Sequence, residues 1–335
     1  MTAGLRASLS AGRRLLPGIM IAALVSASAQ FVSDHYGAPA MLMALLIGQA
    51  LAFLAEDERF APGLAFCARH LLRFGVVLLG LRISTDTLRG LSPAQGATVV
   101  VLVAATILLG LGLARLFRQR LSLGFLTGGS VSICGASAAM AIASILPPDD
   151  RRDRDLSFTV GAVTVMSSLA MIFYPVLAQA LGLDPVQTGI LLGLSIHDVA
   201  QVVGAGFSVS PETGEIATLF KLLRVAMLAP VVALAVLMLR ARQADRREMR
   251  VPLLPGFILG FLALLGANAA GLVPDTLVEA ANPVSRAALL AAVAAVGVRS
   301  SLRGMMQVGH RAMLMVVIET AFLFALAVAA VTLVL

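Results

Sequence analysis

The residues in this chain that could do chemistry are a few polar side chains set deep inside apolar runs. In the stretch 194–206, His197 and Gln201 lie one helical turn apart and share a face, with Asp198 beside them. A charged side chain at the centre of a bilayer costs about 2.5–3.5 kcal/mol on insertion scales, so such a cluster calls for an internal cavity, a partner or water. The plainer account is an interfacial segment beginning near Asp184-Pro185, its polar groups among lipid headgroups. Against that account, His197 lies well inside the segment. Lys221 and Arg224, spaced i and i+3, form a second basic face. Lys221 is close enough to a helix end to snorkel to the surface. Arg224 is deeper and should face an acidic partner or an anionic substrate; its fork of donors matches the oxygens of a sulfate or phosphate group. The candidate acidic partners are Asp198, Glu215 and Glu319, the last in an apolar run of its own.

A third polar place is 127–139, Thr-Gly-Gly-Ser-Val-Ser-Ile-Cys-Gly-Ala-Ser-Ala-Ala, nearly all small side chains. Small residues let helices approach closely. Serines with paired glycines at membrane depth also suit an interrupted helix, whose freed N–H groups and half-helix dipole point at an anion. On this reading Ser130, Ser132, Cys134, Gly135 and Ser137 supply small donors and close backbone approach. Lys221 and Arg224 offset substrate charge, and His197 and Gln201 orient it. Asp198, His197 and Glu319 are the candidates for proton coupling or ion pairing, since imidazole titrates closest to neutrality.

The elements that must position these groups are membrane helices. The 335 residues are 59% hydrophobic and 13% charged, with a mean hydropathy of +0.96. An ordinary soluble domain carries about 25% charge, so a water-soluble globule is excluded, and so is disorder. Cys67 and Cys134 lie in apolar stretches and offer neither a disulfide framework nor a Cys-rich metal site. Roughly 20 apolar residues span a bilayer. Windows of that kind lie near 15–33, 39–55, 63–83, 95–117, 122–147, 157–181, 187–207, 213–239, 252–272, 283–300 and 311–334. The expected fold is therefore an all-α polytopic membrane protein of about 11 transmembrane helices, with broken helices at mid-membrane. The connections leave no room for a soluble domain, so 1–335 reads as a single integral membrane unit, with two intertwined subdomains as a variant.

The net charge of +7 is almost all arginine, Lys221 being the only lysine. Arginines cluster at 6–14, 59–73, 115–120, 240–250 and 303–311, which places the N-terminus inside and the C-terminus outside. The run Asp149-Asp150-Arg151-Arg152-Asp153-Arg154-Asp155 then falls in an outer loop, its signs roughly cancelling. A competing reading of the first segment is a cleaved signal peptide, from Arg13-Arg14, an apolar stretch and Ala27-Ser28-Ala29. Two helix ends resemble each other: Leu79-Gly80-Leu81-Arg82-Ile83-Ser84 with Leu88-Arg89-Gly90 after it, and Val296-Gly297-Val298-Arg299-Ser300-Ser301 with Leu302-Arg303-Gly304 after it. They suggest an inverted-topology repeat. The serine-rich and His-Asp segments break that symmetry, because with eleven crossings they run in the same direction.

Taken together, Gly80-Leu81-Arg82-Ile83-Ser84, Ser132-Ile133-Cys134-Gly135-Ala136-Ser137-Ala138, Ser195-Ile196-His197-Asp198-Val199-Ala200-Gln201-Val202-Val203 and Lys221-Leu222-Leu223-Arg224 resemble the YeiH-like group of conserved hypothetical bacterial membrane proteins, a family proposed to export sulfate. The resemblance implies a secondary transporter of the bacterial inner membrane, distantly similar to bile acid and sodium symporters, with sulfate or a related sulfur oxyanion as cargo. The partners expected are a small inorganic or organic anion, the lipid bilayer, a coupling proton or sodium, and a homo-oligomeric copy; nucleic acid, metals and cofactors are not expected. A sodium-coupled organic acid carrier is the alternative, with Asn268, Asn282, Gln201 and the serines as oxygen ligands. A membrane-embedded enzyme built on Cys134 and His197 is weaker, since neither HExxH nor GxSxG occurs.

Overall fold

The computed structural model describes residues 2–82, 92–146, 151–242, 256–299 and 310–333, with side chains described from residue 14 onward and, in the helix ending at Arg242, as far as residue 238. All regular structure among them is helical: α1 (Thr2–Tyr36), α2 (Ala40–Ala50), α3 (Ala61–Leu79, with a π-helical turn at Cys67–Leu71), α4 (Pro93–Leu116), α5 (Leu121–Ser132), α6 (Ala136–Ile145), α7 (Arg152–Ala180), α8 (Pro185–Ser195), α9 (Val199–Val209), α10 (Pro211–Ala226), α11 (Leu228–Arg242), α12 (Gly256–Ala269), α13 (Asp275–Arg299) and α14 (His310–Leu333). Three starts share one chemistry. Proline stands at the first position of α4, α8 and α10, behind Ser92, Asp184 and Ser210, each of which accepts a backbone N–H of the first turn.

Seven helices among the described residues are long and apolar enough to cross a membrane: α1 from Arg14, α3, α4, α7, the joined α10–α11, α13 and α14. Large apolar side chains such as Leu108, Phe173 and Leu237 are more than half exposed on them, as lipid-facing surfaces should be. The windows 122–147 and 187–207 hold no single rod. Each contains two helices of 10 to 12 residues, and at 1.5 Å per residue such a helix reaches about half of a ~30 Å bilayer core.

Each pair folds back on itself. A Cβ placed on Gly129 of α5 would lie 2.3 Å from Ile142 Cδ1 of α6, and Leu126, Ala139, Ile142 and Ala143 form one apolar cluster. Arg120, just before α5, pairs with Asp155 at the start of α7, so α5–α6 enters and leaves at the same end. In the second pair, Thr213 Oγ1 at the start of α10 donates to the carbonyl of Pro185 at 3.0 Å. A Cβ on Gly206, near the end of α9, would lie 2.8 Å from Gly214 Cα. The beginning of α8 and the end of α9 thus meet the same turn of α10, at the opposite end of the bundle.

The eleven expected crossings are therefore corrected at two windows, which are re-entrant hairpins. Two further expectations change with them. The described part of the acidic-basic run, Arg151 to Asp155, shares an end with Arg118 and Arg120, and the serine-rich and His-Asp segments enter from opposite ends. Of the paired helix ends, Arg82 and Arg299 lie at opposite ends of the bundle; Ile83, Ser84, 88–90 and 300–304 lie outside the described residues, as do Asp149 and Asp150.

The helices form two groups. The hairpins pack with α4, α7, α10 and α14, and α1, α2, α3, α12 and α13 pack together beside them. Ser285 Oγ donates to the Gly75 carbonyl at 2.8 Å within the second group. Hairpin α5–α6 is seated on α4 through backbone contact. A Cβ on Gly124 would lie 2.5 Å from the Gly110 carbonyl oxygen, whereas one on Gly112 meets nothing within 4 Å. Gly124→Ala should therefore destabilise the protein by about 1–3 kcal/mol through overpacking. Gly112→Ala should be neutral or stabilising by roughly 0.5–1 kcal/mol, because an exposed helical glycine carries an entropic cost. Thermal unfolding of the two variants in detergent checks this, and equal melting temperatures would refute the contact.

Candidate functional site

The two hairpin tips meet inside the bundle. In the first, the chain turns through Ile133 at φ −109° and Gly135 at φ +60°, ψ −124°, a conformation that costs a residue with a Cβ about 1–3 kcal/mol. In the second, Ile196 is extended and Asp198 is the N-cap of α9. A Cβ on Gly135 would lie 3.7 Å from the Cβ of His197, which fixes the tips as neighbours.

Ending a helix inside the bundle leaves carbonyls without intrahelical donors, and away from water each costs several kcal/mol. Arg224 and Lys221 on α10 supply the donors. Arg224 Nε donates to the Ser132 carbonyl at 2.8 Å, Nη2 to Val131 at 2.8 Å, and Nη1 to Leu194, Ile196 and Gly193 at 2.6, 3.0 and 3.2 Å. Lys221 Nζ donates to Ile133 at 2.7 Å and Ile196 at 2.9 Å. Both side chains are fully buried. One helix thus fastens the carbonyl ends of α5 and α8 together.

Of the acidic partners the sequence offered Arg224, none pairs with it among the described residues; it faces main-chain carbonyls instead. Glu215 pairs with Arg82 at 2.8 Å, and Glu319 accepts a hydrogen bond from Thr127 Oγ1 at 2.8 Å. Asp198 accepts the Ala200 N–H at 2.8 Å. Among the described residues neither Asp198 nor Glu319 forms an ion pair. The physical reason is the helix dipole: two helix C-termini carry roughly half a negative charge each, so together they offset the guanidinium without any carboxylate.

His197 locks the tips from the other side. A carbonyl can only accept, so Nδ1–H donates to Val131 at 3.1 Å, while Nε2 is hydrogen-bonded to Thr320 Oγ1 at 3.0 Å. Neither nitrogen is left for Cys134, whose thiol is buried and free. Gln201 accepts from Ser167 Oγ at 3.0 Å and donates to Ser168 Oγ at 3.2 Å, while Ser167 also receives the Asp198 N–H. Ser130 and Ser132 turn inward and bond their own helix at Leu126 and Gly129. The structure thus brings Ser132, Cys134, Gly135, His197, Lys221 and Arg224 to the two tips, while Ser137 is exposed at the start of α6. Ser167, Ser168, Thr127 and Thr320 were missed; the Ser-Ser pair and the Thr beside Glu319 were the available signals. Among the described residues no three His, Cys, Asp or Glu side chains gather as a metal site would require.

The two half-helix starts at the tips differ. That of α9 is capped by the Asp198 carboxylate, whereas α6 begins at Gly135 with no side-chain cap. At the end of the bundle where α10 begins, a cavity of about 240 Å³ separates the two helix groups, lined by Met41, Arg82, Phe207 and Leu289. Arg82 closes one side of it, pairing across to Glu215 and lying 5.6 Å from the Phe207 ring centre.

A chain of this kind, long apolar helices around two inward-pointing hairpins, is an all-α multi-pass membrane protein. It belongs to the family described as conserved hypothetical protein 698, which it matches over residues 14–316. Among similar proteins, the UPF0324 membrane protein TauZ of Paracoccus pantotrophus is 56% identical over 92% of each chain. A UPF0324 membrane protein of Rhizobium meliloti is 55% identical over 92% of this chain and 90% of its own. One of Chlorobaculum tepidum is 48% identical over 92% and 87%.

If Arg224 is a strut, its replacement should cost stability before anything else. Arg224→Met leaves buried carbonyls without donors and should lower stability on the order of 3–5 kcal/mol, the range for breaking a buried charged network. Arg224→Lys has three donors on a point charge instead of a planar fork, and should fall between Met and the parent. Thermal unfolding in detergent reads the order; a Met variant as stable as the parent would contradict the assignment.

Proposed function

We propose that this protein is a secondary transporter of the bacterial inner membrane that moves a small anion, sulfate or a related sulfur oxyanion, by alternating access. The observation that supports this reading most is the tip-to-tip meeting of two half-membrane hairpins entering from opposite ends. Irregular backbone at membrane depth is tolerated where it is buried or lines a path for solute. The anion is placed at the start of α6, where Ala136 and Ser137 follow Gly135 and no carboxylate occupies the helix N-terminus. The start of α9 is disfavoured by Asp198. In this reading Arg224, Lys221, His197 and Gln201 hold the tips in register and act on the substrate through their shape and field.

Orientation follows from charge. With the hairpin correction, Arg82 and Arg286 line the cavity at the end where α10 begins, and Arg151 and Arg154 join Arg118, Arg120 and Arg311 around the cavity at the other. The positive-inside rule then sets the arginine-rich end in the cytoplasm, and the odd number of crossings puts the C-terminus outside. For coupling, Glu319 is the group of choice: fully buried, with Oε1 held by Thr127 and Oε2 without a hydrogen-bond partner among the described residues.

The test is movement of labelled sulfate in proteoliposomes under an imposed pH gradient, with and without sodium. The reading expects saturable, pH-driven, sodium-independent transport. Glu319→Gln should abolish pH-driven accumulation while leaving sulfate exchange at no gradient. Saturable transport that needs sodium would favour an organic acid carrier, and no saturable sulfate movement would reject the reading.

A further inference from the structure

At the arginine-rich end, the chain builds a second concave site unrelated to the hairpin tips. A cavity of about 260 Å³ is lined by Arg118, Arg120, Arg151, Arg154, His310 and Arg311, together with Asp155. Asp155 pairs with Arg120, and Arg118, Arg154 and Arg311 line the cavity beside that pair. Asp153, near Arg152, is 92% exposed on its side chain and turns to solvent. The helices α5, α7 and α14 all begin at this cavity, and neither α5 nor α7 has a side-chain cap. Their N-terminal dipoles add positive potential at the same place. Arg118 is held at φ +55°, the one non-glycine residue with positive φ among those described. The backbone there takes a conformation that costs an L residue energy.

Basic residues on the inner face of a membrane protein ordinarily spread along the interface. Here three separate segments, 118–123, 151–158 and 310–312, bring theirs to one hollow. Like charges gathered around a cavity favour the entry of an anion, and guanidinium forks match phosphate oxygens two at a time. The volume lies just under the ~300–1,000 Å³ of sites for drug-sized ligands, so it suits a headgroup-sized anion.

We propose that this cavity binds a phosphate-type dianion or phosphodiester, supplied either as a free oxyanion or as the headgroup of an anionic lipid. The site stands independently of the transport reading, and its test needs no transport. Thermal unfolding of the purified protein is followed in neutral detergent with sodium phosphate against sodium chloride at matched ionic strength, because surface charge responds to salt alone. A parallel arm uses phosphatidylcholine nanodiscs with and without phosphatidylglycerol. A rise in melting temperature with phosphate identifies the free anion, and a rise only with phosphatidylglycerol identifies the lipid; either supports the site.

The double variant Arg154→Gln/Arg311→Gln should raise the half-saturating concentration about tenfold or more, as the loss of charged hydrogen bonds predicts. Arg14→Gln, an exposed arginine of α1 that does not line the cavity, should leave it unchanged. Arg118→Gly guards against a folding artefact: glycine relieves the positive φ, so unliganded stability should hold or rise while the ligand-induced shift falls. No shift with either ligand, or an equal loss in Arg14→Gln, would overturn the proposal.

Discussion

The structure depends on finding donors for the carbonyls of helices that stop halfway. A re-entrant hairpin exposes backbone in a place without water, and nothing in its own strand of sequence can satisfy it. Arg224 and Lys221 meet that need for both hairpins at once, because α10 runs between α8 and α9 and reaches the end of α5. The two half-helix dipoles give the guanidinium its counter-charge. Charge and hydrogen bonding are balanced by the same set of atoms, which is why an arginine can sit fully buried without an ion pair to any described carboxylate.

That balance shapes the division of labour at the tips. The carbonyl ends are closed, tied by Arg224, Lys221 and His197. The amide ends remain, one capped by Asp198 and the other opening with Gly135, Ala136 and Ser137. The proposed transport reading uses the uncapped amides of α6 as the point where an anion binds. The pair Arg82–Glu215 joins the hairpin-bearing group of helices to the group beside it, at the edge of a cavity that opens between them.

The buried polar residues also explain each other. Ser167 and Ser168 on α7 look like ordinary small residues of an apolar helix until the hairpin α8–α9 brings Gln201 and the Asp198 amide against them. Thr320 and Glu319, neighbours on α14, reach two different partners, His197 and Thr127, and so tie that helix to both hairpins. Every one of these contacts joins residues more than thirty positions apart, which no local spacing rule could have paired.

Composition and hydropathy alone marked the chain as a helical membrane protein and its stranded polar groups as lying near 127–139, 194–206 and 221–224. The cost of stranding polar groups in hydrocarbon makes such residues conspicuous wherever they are placed. Whether an apolar window crosses or turns back was decided only in three dimensions. A hairpin of two half-length helices has the same average hydropathy as one rod, and the contacts that close it, Gly129 against Ile142 and Gly206 against Gly214, carry no one-dimensional signature. The partner of Arg224 was hidden for the same reason: the atoms it binds are main-chain carbonyls, which every residue possesses and which become available only where a helix ends.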